Sequence, residues 1–344
     1  MSHGLGGEAI GDRQPSIDAG LAGLQPLLQH VRHRCVSSSF ENGGVYTATE
    51  GCVTLLSLRA GRLAVDLAPD AGGSIARFAV EGAGKDEGDL LRPATDAALA
   101  SGTGMDAACY PLVPYSNRIA NGRLNFDGEL FQMARNWPGI RHPMHGDGWR
   151  QAWQVLHQER TRAELVYVHE RGTAGVDWPF RYRARQSFVL DETGLTVELS
   201  IDNLEDRDVP AGLGLHPFFV RDADTELACR LAGVWRTDAE VLPLQRVPVP
   251  PEWEFSRSRR VEGMGLDHCF DGWGGEATVT WPERGLRLVL TATEAFRHLV
   301  IYVPDGQRHF CVEPVSHANG AIGQTRLAAG ATLGGEISFR LVQI

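Results

Sequence analysis

Beyond about residue 53, apolar residues recur at every second position of the chain. Leu63, Val65 and Leu67 alternate with Ala64 and Asp66, and Leu195, Val197, Leu199 and Ile201 alternate with Thr196, Glu198, Ser200 and Asp202. Leu286, Leu288 and Leu290 continue the pattern, and Ile337, Phe339 and Leu341 carry it to the C-terminus. A period of two places one set of side chains on each face of a strand, and so predicts antiparallel strands with one face buried. Asp127-Gly128, between Arg123–Phe126 and Glu129–Met133, reads as a two-residue hairpin turn, because glycine tolerates the positive φ that such a turn requires. Asp191 to Gly194 reads as a second turn. Pro111, Pro114, Pro217, Pro304 and Pro314 are expected at strand ends, where a missing N–H does no harm, so a strand is expected to stop at His216. Helical spacing is confined to Leu21, Leu24, Leu27 and Leu28 and to a segment from Leu90 to Leu99 that Pro93 limits. The pattern predicts an all-β chain folded as a large antiparallel two-sheet β-sandwich.

The first 45 or so residues read differently. They are rich in Gly and Ser, and are expected to form a flexible N-terminal arm over 1–45 ahead of a β-sandwich domain over 46–344. His30, His33 and Cys35 fall in that arm without a fourth ligand at useful spacing, so a solvated segment is expected there rather than a metal site.

Composition narrows the function classes. The chain has 344 residues and a formal net charge of −10, from 33 basic and 43 acidic side chains. That balance speaks against nucleic acid and against anionic membrane surfaces as partners. The only lysine, Lys85, is followed by Asp86, so no G-K-[ST] phosphate loop exists. The six cysteines lack C-x-x-C spacing, which leaves no zinc framework and no dense disulfide pattern. No nucleotide or metal motif is found, and no cofactor is expected. The N-terminus lacks the basic start and apolar core of a signal peptide. No apolar run reaches the ~18 residues of a membrane helix. A soluble cytoplasmic protein is the expectation, and its oligomeric state is left open.

Several polar clusters interrupt the alternation. In Pro111-Leu-Val-Pro-Tyr-Ser-Asn-Arg-Ile119, Asn117 and Arg118 follow a proline-stiffened stretch, and the Arg118 guanidinium is a rigid fork suited to adjacent hydroxyls or a carboxylate. In His142-Pro-Met-His-Gly-Asp-Gly-Trp149, Pro143 keeps the two histidines off one helical face. The glycines there admit a ligand close to the backbone, and Trp149 offers a stacking surface. Gly212-Leu-Gly-Leu-His-Pro-Phe-Phe219 presents His216, an imidazole able to move a proton near neutrality. In His309-Phe-Cys-Val-Glu-Pro-Val-Ser-His317, alternation sends Phe310 and Val312 to one face and His309, Cys311 and Glu313 to the other. Asp267 stands in Gly265-Leu-Asp-His-Cys-Phe270. Each cluster taken alone also reads as an ordinary surface or turn feature.

Taken together and in this order, the clusters resemble the aldose 1-epimerase (galactose mutarotase) family. The series is P-Y-S-N-R-I with a following G-x-x-x-F-x-G, then H-P-x-H-G, G-x-x-H-P-F-F, L-D-x-x-F and V-E-P. The resemblance runs from about residue 53 to the C-terminus. It implies a β-supersandwich with a free sugar on its open face. Glu313 would be the base that takes the anomeric hydroxyl proton, and His216 the acid that protonates the ring oxygen. Arg118, Asn117, His145 and Asp267 would bind the sugar, with no metal and no cofactor. A carboxylate close to His216 would hold the imidazole protonated. The residues around the histidine and in the Gly146-Asp147-Gly148 loop differ from the galactose-specific branch, which leaves the sugar open. Two other readings stand beside this one: a non-catalytic sugar-binding or regulatory protein on the same fold, and a hexose-phosphate 1-epimerase. A glycosidase would need a second carboxylate, for which Asp267 is the candidate.

Overall fold

The computed structural model describes residues 1, 31–42, 45–82, 88–173 and 177–343, with side chains left undescribed over 31–52 and at 343. The first strands are β1 (Val31–Asn42), β2 (Val45–Ala60), β3 (Leu63–Ala68), β4 (Ser74–Val80) and β5 (Cys109–Leu112). They are followed by β6 (Arg123–Phe126), β7 (Glu129–Gln132), β8 (Gln154–Gln158), β9 (Arg162–His169), β10 (Tyr182–Asp191) and β11 (Gly194–Asn203). Next come β12 (Gly214–Val220), β13 (Glu226–Cys229), β14 (Gly233–Thr237), β15 (Pro243–Pro248), β16 (Arg259–Arg260) and β17 (Leu266–Asp271). The last are β18 (Glu276–Trp281), β19 (Leu286–Ala292), β20 (His298–Val303), β21 (His309–Val315) and β22 (Thr332–Gln343).

Two large antiparallel sheets result. One has 11 strands in the order β1-β2-β3-β4-β5-β12-β21-β20-β17-β14-β15, and the other has 9 in the order β16-β13-β18-β19-β22-β11-β10-β9-β8. β10 shows the expected alternation, with its even-numbered side chains buried from Tyr182 to Leu190. The inward sets of both sheets merge into one core. Phe339 of β22 packs against Phe78 of β4 at 6.2 Å and Phe219 of β12 at 6.3 Å between ring centroids, and so ties one sheet to the other. The all-β sandwich read from the alternation is the fold observed.

The turns follow their chemistry. Asp127 and Gly128 join β6 to β7, both at positive φ. The Asp191 carboxylate accepts from the backbone N–H groups of Thr193 and Gly194 and so closes the turn from β10 to β11.

Three expectations change. Strand β12 runs through Pro217 to Val220, and β5 and β21 contain Pro111 and Pro314, so these prolines lie within strands. The β12–β21 ladder tolerates Pro217 and Pro314 because these strands are paired at Gly214–Val315 and at Phe218–Cys311 but not between, where both prolines fall. Helix α1 (Asp96–Ala100) starts beyond Pro93, with the Thr95 hydroxyl capping the N–H of Ala98. The expected arm boundary near residue 45 is crossed by sheet, since β1 pairs with β2 along its whole length. A mostly polar sequence there, including Ser37-Ser38-Ser39, carries no alternation to read. The Leu21–Leu28 helical spacing and His30 lie outside the described residues, as do the side chains of His33 and Cys35.

Because Phe339 is fully buried between the sheets, Phe339→Ala should lower unfolding free energy by about 3–5 kcal/mol. Urea denaturation followed by tryptophan fluorescence measures the change.

Candidate active site

The outer face of the 11-stranded sheet, turned away from the sandwich core, carries its own smaller apolar cluster. Tyr110, Trp149, Phe218, Cys269, Val300, Cys311 and Val315 form it. Into this floor the register sets the polar groups. His216 lies opposite Tyr110 on β5. On the other side it faces Glu313 of β21, midway between the Gly214–Val315 and Phe218–Cys311 pairs. His216 Nε2 and Glu313 Oε1 are 3.2 Å apart, and both residues are buried. The imidazole is sandwiched between the rings of Tyr110 (4.6 Å) and Phe218 (4.5 Å), which fixes its plane. One strand pair further along, Asp267 of β17 stands opposite Tyr302 of β20.

Loops cover this face. Residues 113–118 and 142–149 are zipped together by a bridge between Val113 and Gly146 and another between Arg118 and Met144. At Gly146 a Cβ would lie 2.2 Å from the carbonyl oxygen of Val113, so only glycine permits that approach. Asn117 and His145 exchange two hydrogen bonds. The N–H of His145 donates to the carbonyl of Asn117, and the N–H of Asn117 donates to Nδ1 of His145. Both residues sit at positive φ, a left-handed conformation that costs a residue with a side chain roughly 1–2 kcal/mol. The reciprocal bonds hold them there. With Nδ1 accepting, the His145 proton is on Nε2, which makes that atom a donor. Its ring stands edge-on to His216 at 5.4 Å. The Asn117 carboxamide oxygen accepts from the Arg118 backbone and guanidinium, so Asn117 orients Arg118.

A second polar assembly holds the loop from below. Asp147 is buried and accepts from the hydroxyls of Tyr167 and Tyr182, each at 2.7 Å. The Asn136 carboxamide donates to the carbonyls of Met144 and Gly146 and accepts from the N–H of Met144. Sequence reasoning missed these anchors because their partners lie on distant strands; only the departure Gly146-Asp147-Gly148 marked the place. Trp149 is completely buried against Tyr110 and Trp137, so it supports the floor instead of offering a sugar-stacking surface. His142 is turned away from His145. Its Nδ1 accepts from the N–H of Asn121, and its Nε2 lies 3.5 Å from Glu240. His317 accepts from the N–H of Ser116, and Gly212 leaves room for its ring, since a Cβ there would sit 2.2 Å from Cδ2.

The electrostatics follow from dryness. Burial pushes Glu313 well above the usual carboxylate range, and neighbouring Asp267 pushes it further, while Arg118 pulls it back. Burial drives His216 well below an ordinary histidine, with His145 adding to the effect. Asp267 is raised by burial and lowered by Arg118. Burial therefore works against the standing imidazolium expected from the sequence, favouring the protonated carboxyl of Glu313 and the neutral imidazole of His216.

The β-sandwich is the fold of galactose mutarotase-like proteins. The chain belongs to the aldose 1-epimerase family, whose model matches residues 54–340. It is 31% identical over 274 residues to the uncharacterised protein YphB of Escherichia coli K12, covering 77% of this chain and 89% of that one. A crystal structure from E. coli K12, provisionally named an aldose 1-epimerase, superposes with a TM-score of 0.76 at 30% identity, over 85% of this chain and 100% of that one. The galactose 1-epimerase of Lactobacillus acidophilus NCFM matches with a TM-score of 0.68 at 16% identity, over 91% and 99% of the two chains. Family and fold support a mutarotase-type function.

Two buried histidines of the site generate a stability prediction. Burial lowers His145 to about 3 and His317 to about 4, against roughly 6.5 in an unfolded chain. Between those values the unfolded state binds more protons, so stability present above pH ~6.5 is lost as pH falls through ~4. Urea midpoints measured across that range should fall steadily toward acid, and His317→Gln should flatten the slope.

Proposed function

We propose that this protein interconverts the α and β anomers of a free aldose by acid–base ring opening and reclosure. The observation that carries the reading is the pair itself: a carboxyl oxygen and an imidazole nitrogen 3.2 Å apart in a buried site. The anomeric hydroxyl and the ring oxygen of a cyclic aldose are two oxygens on one carbon. A pair this close can serve both at once. Glu313 takes the anomeric proton while His216 delivers one to the ring oxygen, and the C1–O bond to the ring opens. Rotation about C1–C2 followed by the reverse transfers closes the other anomer.

Proton bookkeeping fits the shifted groups. The ionised pair that starts ring opening and the neutral pair that follows it hold the same number of protons. They differ by one net transfer between the two side chains, through the sugar. Burial favours the neutral pair, so work is needed to form the ionised one. Arg118 supplies part of it by lowering both Glu313 and Asp267. Sugar hydroxyls donating to the Glu313 carboxylate supply more. Arg118, the Nε2–H of His145 and Asp267 hold the sugar hydroxyls, and Asn117 orients Arg118. Positioned proton transfer of this kind contributes ~10²–10⁴-fold per group.

Anomer exchange followed by NMR across a panel of unphosphorylated aldoses tests the reading, and acceleration of at least one should survive EDTA. Glu313→Gln and His216→Asn should each lower kcat by ~100-fold or more with the fold retained. Arg118→Ala should instead act mainly on KM, since it removes contacts common to ground and transition states. Near-normal kcat in Glu313→Gln would remove that carboxylate from the scheme.

A further inference from the structure

Cys311 is a buried thiol with no part in the proposed reaction, yet it stands two residues from Glu313 on the same face of β21 and directly opposite Phe218. Its Sγ, a ring nitrogen of His216 and a Glu313 carboxylate oxygen all lie within 4.8 Å of one another. We propose that Cys311, His216 and Glu313 form a binding site for one soft divalent cation, zinc or cadmium, whose occupation blocks the sugar reaction. The blocking half of this proposal rests on the function argued above; the binding half does not.

The donor set suits such an ion. Thiolate, imidazole and carboxylate are the ligand types zinc takes, and three protein ligands leave a fourth position for water or a sugar hydroxyl. The 3.2 Å between Nε2 and Oε1 is close to the separation of two ligands held at about 2.0–2.1 Å around a tetrahedral ion, roughly 3.3 Å. Charge balances as well. A dication with one thiolate, one carboxylate and a neutral imidazole sums to zero, so the dry floor that opposes a lone charge does not oppose the filled site. Cysteine binds the ion as thiolate, so binding expels the Cys311 proton and affinity rises with pH. The filled site ties up both groups that the proposed chemistry uses. Sequence spacing hides the arrangement, because the cysteine and glutamate alternate on one strand while the histidine arrives on its neighbour.

The test is a cadmium titration of the full-length protein, read by cadmium–thiolate charge-transfer absorption. One equivalent should give the band in wild type and in Cys269→Ser, and Cys311→Ser should lose it. His216→Asn, which keeps every cysteine, should retain the band with affinity weakened ~10-fold or more. Calorimetry in two buffers should report net proton release on binding. Zinc should slow anomer exchange, and EDTA should restore the rate. Absence of a one-equivalent band in wild type, or a band that persists in Cys311→Ser, overturns the site. Stoichiometric binding with undisturbed anomer exchange overturns the inhibition. A protein that turns over no aldose refutes the function while the absorption titration still decides the site.

Discussion

A carboxyl group and an imidazole share a place from which water is excluded, and the outer face of the large sheet is organised around keeping them there. Neither group would choose burial while charged. Burial raises Glu313 and lowers His216, so the dry floor favours the neutral pair over the ionised one, which holds the same number of protons.

The strand register makes the pairing possible. β12 and β21 are paired on both sides of His216 and Glu313 but not beside them, and Pro217 and Pro314, which have no N–H to give, fall in the gap. Residues that look like strand terminators instead relieve the ladder at the point where two side chains must meet. Tyr110 and Phe218 then clamp the imidazole between their rings and so fix its plane.

The covering loops depend on a different buried charge. Asp147 is pushed up by burial and held by two tyrosine hydroxyls, with His169 3.6 Å away. A network of this kind is worth most when every member is satisfied. It anchors the 142–149 loop to β9 and β10, strands of the second sheet, and so sets where His145 stands over the first. The left-handed backbone of Asn117 and His145, stabilised by their mutual hydrogen bonds, does the rest. The Nε2–H of a neutral histidine, at about 3 too weak a base to charge near neutral pH, is a donor of fixed direction.

Much of this was legible in the sequence, and the parts that were not share a cause. Alternation is a local property, so the sandwich, the Asp127-Gly128 hairpin and the opposite orientations of Phe310 and Glu313 could be read from neighbouring residues. Type and order of the polar clusters pointed to His216, Glu313, Arg118, His145 and Asp267 as one group. Protonation could not be read, because it depends on how much water a fold removes, and burial here works against the imidazolium expected from the sequence. The path of β12 through Pro217, the burial of Trp149, the Asp147 anchor and the approach of Cys311 to His216 were equally out of reach. Each is a contact between strands far apart in the chain, and only the packing of one sheet register against another decides it.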